Sequence, residues 1–117
     1  MSESCYAPTV LLDPPTDCKL SRPEVFGPVE CVYTYDALDE AIGRANALPL
    51  TFQAAIFTRD YGTAVRAYGC LDASAVMLND HTAFRVDWMP FAGLRESGLG
   101  VGGIPYTFRD MTEKKRL

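Results

Sequence analysis

A chain of 117 residues with 48% hydrophobic and 22% charged residues has room for one ordinary globular core and not for two. Its formal net charge of -4, with a single basic run at Lys114-Lys115-Arg116, argues against a nucleic-acid-binding face, which needs clustered Lys and Arg to neutralise phosphate. No apolar run approaches the roughly 18 residues of a membrane span, so a soluble protein is expected.

In chain order, "PTVLLD" (8–13) is a strand candidate, and "PPTDCKLSRPEVFGP" (14–28) is a Pro-rich loop. "VECVYTY" (29–35) is β-branched and aromatic and predicts a strand. In "DALDEAIGRANALP" (36–49), Leu38, Ala41, Ile42 and Ala45 recur at helical spacing, behind Asp36 as N-cap and before Pro49. "FQAAIFT" (52–58) predicts a second strand. "DYGTAVRAYGCL" (60–71) repeats the helical spacing at Tyr61, Ala64, Val65, Tyr68 and Leu71 behind the N-cap candidate Asp60, and "SAVMLN" (74–79) is a third strand. Strands and amphipathic helices in alternation predict an α/β fold, a parallel sheet of βαβαβ units covered by helices. A Gly-rich segment runs from Asp80 to Gly103, and a short helix is predicted near Pro105 to Met111.

Chemistry-bearing residues are sparse. Cys5, Cys18, Cys31 and Cys70 lie far apart with no C-x-x-C pair. None stands in an obvious thiolate-stabilising setting, so buried structural cysteines in a reduced, cytoplasmic protein are expected. His81 has no partner at metal-ligand spacing and reads as a loop-packing residue; no metal site is predicted. "GLGVGG" (98–103) satisfies the G-x-G-x-x-G dinucleotide pattern. That pattern needs a preceding strand and an acidic residue about 20 positions on. "PFAGLRES" before it has loop composition and the chain ends 14 residues after Gly103, so a loop needing backbone freedom is the better reading.

The glycines belong to a longer constellation. "PEVFGPV" (23–29), "EAIGRANALPLTFQAAIFTRD" (40–60), "SAVMLND" (74–80), "MPFAGLRESGLGVGG" (89–103) and "MTEKK" (111–115) resemble, in order and spacing, the C-terminal part of the aldehyde dehydrogenase superfamily's catalytic domain. The branch resembled includes lactaldehyde, phosphonoacetaldehyde and non-phosphorylating glyceraldehyde-3-phosphate dehydrogenases. Nothing in the chain resembles the family's G-Q-x-C nucleophile segment, its general-base glutamate segment or its cofactor-binding domain, and "CYAPTVL" (5–11) resembles an internal stretch.

The resemblance implies roles for matching residues. Glu24 would accept hydrogen bonds from the nicotinamide ribose hydroxyls of NAD or NADP, and Phe26 would pack beside the nicotinamide. The loop from His81 to Phe91 matches the aldehyde entrance, where Phe84, Trp88 and Phe91 form aromatic walls around the cation Arg85. Such a funnel suits a small aldehyde bearing a carboxylate, phosphate or hydroxyl. Arg85 could equally pair with Asp87 or Asp80 and merely hold the loop. "PFAG" replaces the usual P-F-G-G, which predicts a slightly altered turn at Ala92, and Thr51-Phe52 replaces the usual tyrosine-glycine.

In a complete enzyme the implied reaction is aldehyde oxidation: a cysteine thiolate adds to the carbonyl, hydride passes to NAD(P), and water hydrolyses the thioester. Residues 1–117 form a single partial domain in this reading, supplying no catalytic residue and inactive alone, with no cofactor expected bound to it. Two alternatives are a subunit that complements a separate N-terminal chain, and a non-catalytic interaction module. In full-length relatives other parts of the chain cover this sheet, and the tail strand matching 112–117 joins a sheet that includes a neighbouring subunit. Without them apolar surface and an unpaired strand edge are left exposed, so a homo-oligomer is expected, a two-fold dimer through the sheet edge or a helix face.

Overall fold

The computed structural model describes residues 5–116. In chain order it contains β1 (Thr9–Leu12), β2 (Val29–Val32), α1 (Leu38–Asn46), β3 (Leu50–Thr51), β4 (Gln53–Ile56), α2 (Tyr61–Cys70), β5 (Ala75–Leu78), β6 (Leu94–Arg95) and α3 (Ile104–Asp110). The chain divides into two units, Met1–Ala41 and Ile42–Leu117, and the division falls inside α1. No helix among the described residues is long and apolar enough to cross a membrane.

In the first unit β1 and β2 pair in parallel, Thr9 opposite Val29 and Leu12 opposite Val32. Half-buried and exposed residues alternate along both strands, as a sheet packed on one face requires. β2 is shorter than the predicted 29–35 strand. Beyond it, Thr34 N donates to the Asp13 carboxylate at 2.8 Å, so a side chain takes over from the ladder. Asp13 itself turns the chain out of β1 at φ 44, a left-handed conformation that Asp tolerates better than most residues. The first helix starts at Leu38, with the Ala37 carbonyl accepting from Glu40 N and Ala41 N at 3.0 and 3.4 Å. The cap position is therefore Ala37, not Asp36.

The second unit contains the predicted strand–helix–strand. β4 and β5 are parallel, Gln53 opposite Ala75 through Ile56 opposite Leu78, joined by α2. At one end of this pair Ser74 donates to the Phe52 carbonyl from both N and Oγ, at 2.8 and 2.6 Å. At the other end Asn79, at φ 54, accepts from Thr58 N at 2.8 Å and donates to Thr58 O at 2.9 Å. An amide side chain thus imitates one more backbone rung and closes the ladder.

The α/β alternation with parallel strands is observed, but the pairing differs from a single βαβαβ sheet. β2 hydrogen-bonds to β1, and β4 to β5. A third pair, β3 and β6, is antiparallel, with Leu50 opposite Arg95. It lies partly within "PFAGLRES", read above as loop, because two residues are too few to show a period. Residues 112–116 join no strand among the described residues. The predicted tail strand ends on Leu117, which lies outside the described residues.

Asp60 caps α2 as predicted, accepting from Thr63 N at 2.6 Å. That bond holds its carboxyl below the ordinary value of 3.8, because it favours the ionised form. A depressed native pKa gives stability that is present above the unfolded value and lost as pH falls through the native one. Asp60→Ala should therefore melt earlier than the wild type at pH 6, with the gap closing as pH drops well below 3.8. A gap independent of pH in thermal melts would refute the ionised cap.

The helical stripe of α2 is not buried as amphipathicity predicts. On α1, by contrast, Ile42 of the predicted stripe is only 8% exposed. On α2 Ala67 is fully buried, but Tyr61 is 82%, Tyr68 70% and Val65 51% exposed. With Ile56, Ala64, Val76 and Leu78 they line an open apolar groove of about 190 Å³ between α2 and the β4–β5 pair. The periodicity marks the apolar face correctly; it does not specify what covers that face.

Candidate functional site

Glu24 and Phe26 lie in the first unit, in the turn that enters β2, where Gly27 N donates to the Val25 carbonyl at 2.9 Å and Val29 N to the Gly27 carbonyl at 2.8 Å. Exposure alternates along this stretch: Glu24 and Phe26 face solvent and Val25 is half-buried. The Phe26 side chain is 93% exposed. A ring so placed costs free energy unless something covers it, and the neighbouring carboxylate has both oxygens available as acceptors.

Arg85, Trp88 and Phe91 lie in the second unit, on the loop between β5 and β6. Arg85 pairs with neither Asp80 nor Asp87 among the described residues. Its guanidinium carbon stands 4.1 Å from the centroid of the Phe91 ring, a cation–π contact. The Asp80 carboxylate turns to its own neighbour, accepting from His81 N at 2.8 Å, and His81 Nδ1 accepts from Ala83 N at 3.1 Å. The histidine braces the turn but, with its side chain 71% exposed, is not packed into the loop as expected. Phe91 is fixed from two sides. Its N and O exchange bonds with Gly102 O and N at 3.0 and 2.7 Å, and its ring meets Phe52 edge-to-face at 4.8 Å between centroids. The platform under Arg85 is thus built by residues that the loop sequence alone does not reveal. The departure of Thr51-Phe52 from the family's usual tyrosine-glycine, noted from the resemblance, was the signal for Phe52. Trp88 stands out from the loop, 73% exposed.

"GLGVGG" adopts positive φ at Gly98, Gly100 and Gly103, in keeping with a loop that needs backbone freedom. It leads into α3, but Ile104 N already donates to the Asp87 carbonyl at 3.1 Å. The preceding β6 is two residues long. A Cβ at Gly103 would come within 2.8 Å of the Met89 carbonyl oxygen, so this glycine serves close backbone packing.

The cysteines differ from expectation: Cys5 and Cys70 are exposed, and Cys18 and Cys31 half-buried. Cys70 is the last residue of α2. Cys18 contacts Ser21 Oγ at 3.0 Å, and that hydroxyl holds its thiol below the ordinary value of 9.0. Ser21 also meets Tyr33 Oη at 2.6 Å.

A chain with parallel strand pairs, a glutamate–aromatic turn and an arginine-bearing loop closed by P-F-x-G belongs to the aldehyde dehydrogenase family, whose pattern matches residues 2–117. It is 38% identical over 110 residues to the 3-sulfolactaldehyde dehydrogenase of Priestia aryabhattai, covering 94% of this chain and 23% of that protein. Among solved structures it superposes on aldehyde dehydrogenase 21 from Physcomitrella patens, in complex with the reaction product succinate, with a TM-score of 0.84 and 38% identity. That match covers 91% of this chain and 22% of the other. It also superposes on the glyceraldehyde-3-phosphate dehydrogenase GapN of Methanocaldococcus jannaschii, complexed with NADP, with a TM-score of 0.86 and 32% identity. There the coverage is 95% of this chain and 24% of the other. The chain therefore spans about a quarter of the length of the relatives it matches.

Proposed function

We propose that this chain supplies two grips of an NAD(P)-dependent, aldehyde-oxidising enzyme, one in each of its units, each taking a group remote from the reacting bond. Glu24 accepts from the nicotinamide ribose hydroxyls, with Phe26 beside the ring. Arg85, on its Phe91 platform, holds an anionic substituent of a small aldehyde, with the exposed Trp88 of the same loop as the aromatic that closes on it. The bound nicotinamide supplies the hydride acceptor. The chain's own residues supply orientation, which raises rate only together with a nucleophile. With no nucleophile segment of the family's kind in its sequence, the chain alone turns over no aldehyde.

The observation that carries this reading is Arg85. Its guanidinium is stacked on an aromatic face and takes no carboxylate among the described residues. A guanidinium held over a ring and given no carboxylate of its own keeps donors that suit a carboxylate, sulfonate or phosphate. The names of the relatives agree with that class of ligand: a sulfonated lactaldehyde for one and the dicarboxylate succinate as product for another. The exposed Glu24 and Phe26 fit the nicotinamide half in the same way, as an acceptor and an apolar face with nothing of their own to cover them.

Trp88, the single tryptophan of the chain, reports on this loop. Titration with methanesulfonate, phosphate or acetate should change its emission saturably, with a Kd on the order of 1 mM, and Arg85→Ala should abolish the response. An unchanged response in that variant would remove the assignment. In parallel, purified chain mixed with aldehyde and NAD(P) should form no NAD(P)H above buffer. Turnover lost on Cys70→Ser would overturn the non-catalytic role.

A further inference from the structure

We propose that Arg95 is the positioning residue of the Arg85 subsite, acting through a clasp that fastens residues 93–97 to residues 46–51. The proposal rests on the reading of Arg85 given above.

Arg95 lies in β6 at φ 55, in the left-handed region where a side chain other than glycine is uncommon. From there its guanidinium reaches three acceptors. Nη1 donates to the carbonyls of Asn46 at 2.6 Å and Leu48 at 2.8 Å, and Nη2 donates to the Asp72 carboxylate. The Asn46 side chain extends the same network, donating to the Cys70 carbonyl at 2.7 Å and accepting from Asp72 N at 2.9 Å. The carbonyls at the C-terminal end of α1 thus meet the cation directly, where they favour positive charge, while the end of α2 is joined to it through the Asn46 side chain and Asp72. A planar group with several fixed donors can serve these acceptors together; an ammonium cannot match that geometry. The Arg95 and Asp72 side chains are 39% and 54% exposed, so the ion pair itself adds little. The carbonyl bonds set the geometry. Two backbone donors complete the clasp, Glu96 N to the Pro49 carbonyl at 3.2 Å and Thr51 N to Ser97 Oγ at 2.7 Å.

The clasp has a geometric outcome. β3 runs directly into Phe52, and β6 begins three residues after Phe91. Pairing β3 with β6 brings these two rings together at 4.8 Å, and Arg85 stacks on the second of them. Arg95 touches no ligand in this arrangement. It orients the aromatic platform that orients the receiving cation.

The test uses the whole chain and the variants Arg95→Ala, Arg95→Lys and Arg95→Gly. Two readouts are followed: methanesulfonate affinity from Trp88 emission, and amide exchange at Phe91 and Gly102 compared with Ser74 and Asn79 on the β4–β5 pair. Arg95→Ala and Arg95→Gly should each weaken affinity about tenfold and speed exchange at Phe91 and Gly102 by a similar factor, leaving Ser74 and Asn79 unchanged. Arg95→Lys should recover part of both. The glycine variant relieves the left-handed backbone, so it separates positioning from stability. Wild-type affinity and exchange in Arg95→Gly would overturn the proposal, as would equal acceleration at all four amides, which marks a merely structural residue. Should the wild-type chain give no response to methanesulfonate, the anion reading of Arg85 fails; the clasp is still decided by the exchange pattern.

Discussion

Gly93→Ala is expected to destabilise the chain by about 3 kcal/mol or more, lowering the melting temperature by about 12 °C. A Cβ built on Gly93 falls 2.4 Å from the carbonyl oxygen of Ser97, 2.5 Å from its carbon and 2.9 Å from Gly98 N. All three are backbone atoms, so no side chain can swing aside. The 93–98 turn must open, and Ser97 is tied down from both directions, by its N–H to the Leu94 carbonyl at 3.0 Å and by its hydroxyl to Thr51 N at 2.7 Å. Relief in one place therefore breaks pairing in another. The neighbouring position behaves differently. Ala92 occupies the first glycine of the usual P-F-G-G and is not among the residues with positive φ, so the turn accepts a Cβ there. Ala92→Gly should change stability by less than about 1 kcal/mol. Thermal melts of the two variants decide the matter: comparable shifts would show that the close approach at Gly93 is not limiting.

At micromolar concentration the chain should sediment as a dimer. Tyr61, Tyr68 and Val65 on α2 and Leu78 at the end of β5 are all more than half exposed on one apolar groove. Two tyrosines and their aliphatic neighbours offer roughly 500 Å² per copy, given about 150–250 Å² for each aromatic side chain. Covering that area on two copies favours association by about 25 kcal/mol at about 25 cal/mol per Å², against costs of about 4–15 kcal/mol or more for lost freedom and ordering. The surplus is sufficient even after a generous discount. A self-complementary face gives a two-fold pair. Val65→Glu combined with Tyr68→Glu should return the chain to a monomer without disturbing Ala67, the buried residue of α2. A wild-type monomer that binds no apolar dye would show the groove to be closed in solution.

The parts of this structure legible in the sequence are those written in a local period. β4, α2 and β5 appear where alternation and helical spacing place them, and Asp60 caps α2, because each signal is contained within a few residues. Three things were not legible, for separate reasons. β2 pairs with β1, and nothing in an apolar run names its neighbour. β3 and β6 are two residues each, below the length at which alternation exists. The α2 stripe is open because periodicity records a preference for burial and not the surface that provides it. At the candidate site the loop and its arginine were readable through the family pattern. The Phe91 platform was not, since it depends on Phe52 arriving from 39 residues away across the β3–β6 pair.

Asn79 has a consequence for how such a chain can change over evolutionary time. By spending its amide on Thr58 it ends the parallel ladder at a fixed point, at the carboxyl edge of β4 and β5, where open α/β sheets place their ligand-contacting loops. Residues 80–86 lie beyond this stop and before the backbone bonds that Asp87 and Phe91 make to Ile104 and Gly102. A change of length there leaves the β4–β5 register untouched, whereas a change at 87–91 would pull on those bonds and on the Phe52–Phe91 ring contact. The asparagine therefore marks where variation is cheap to begin, and Asp87 where it stops being so.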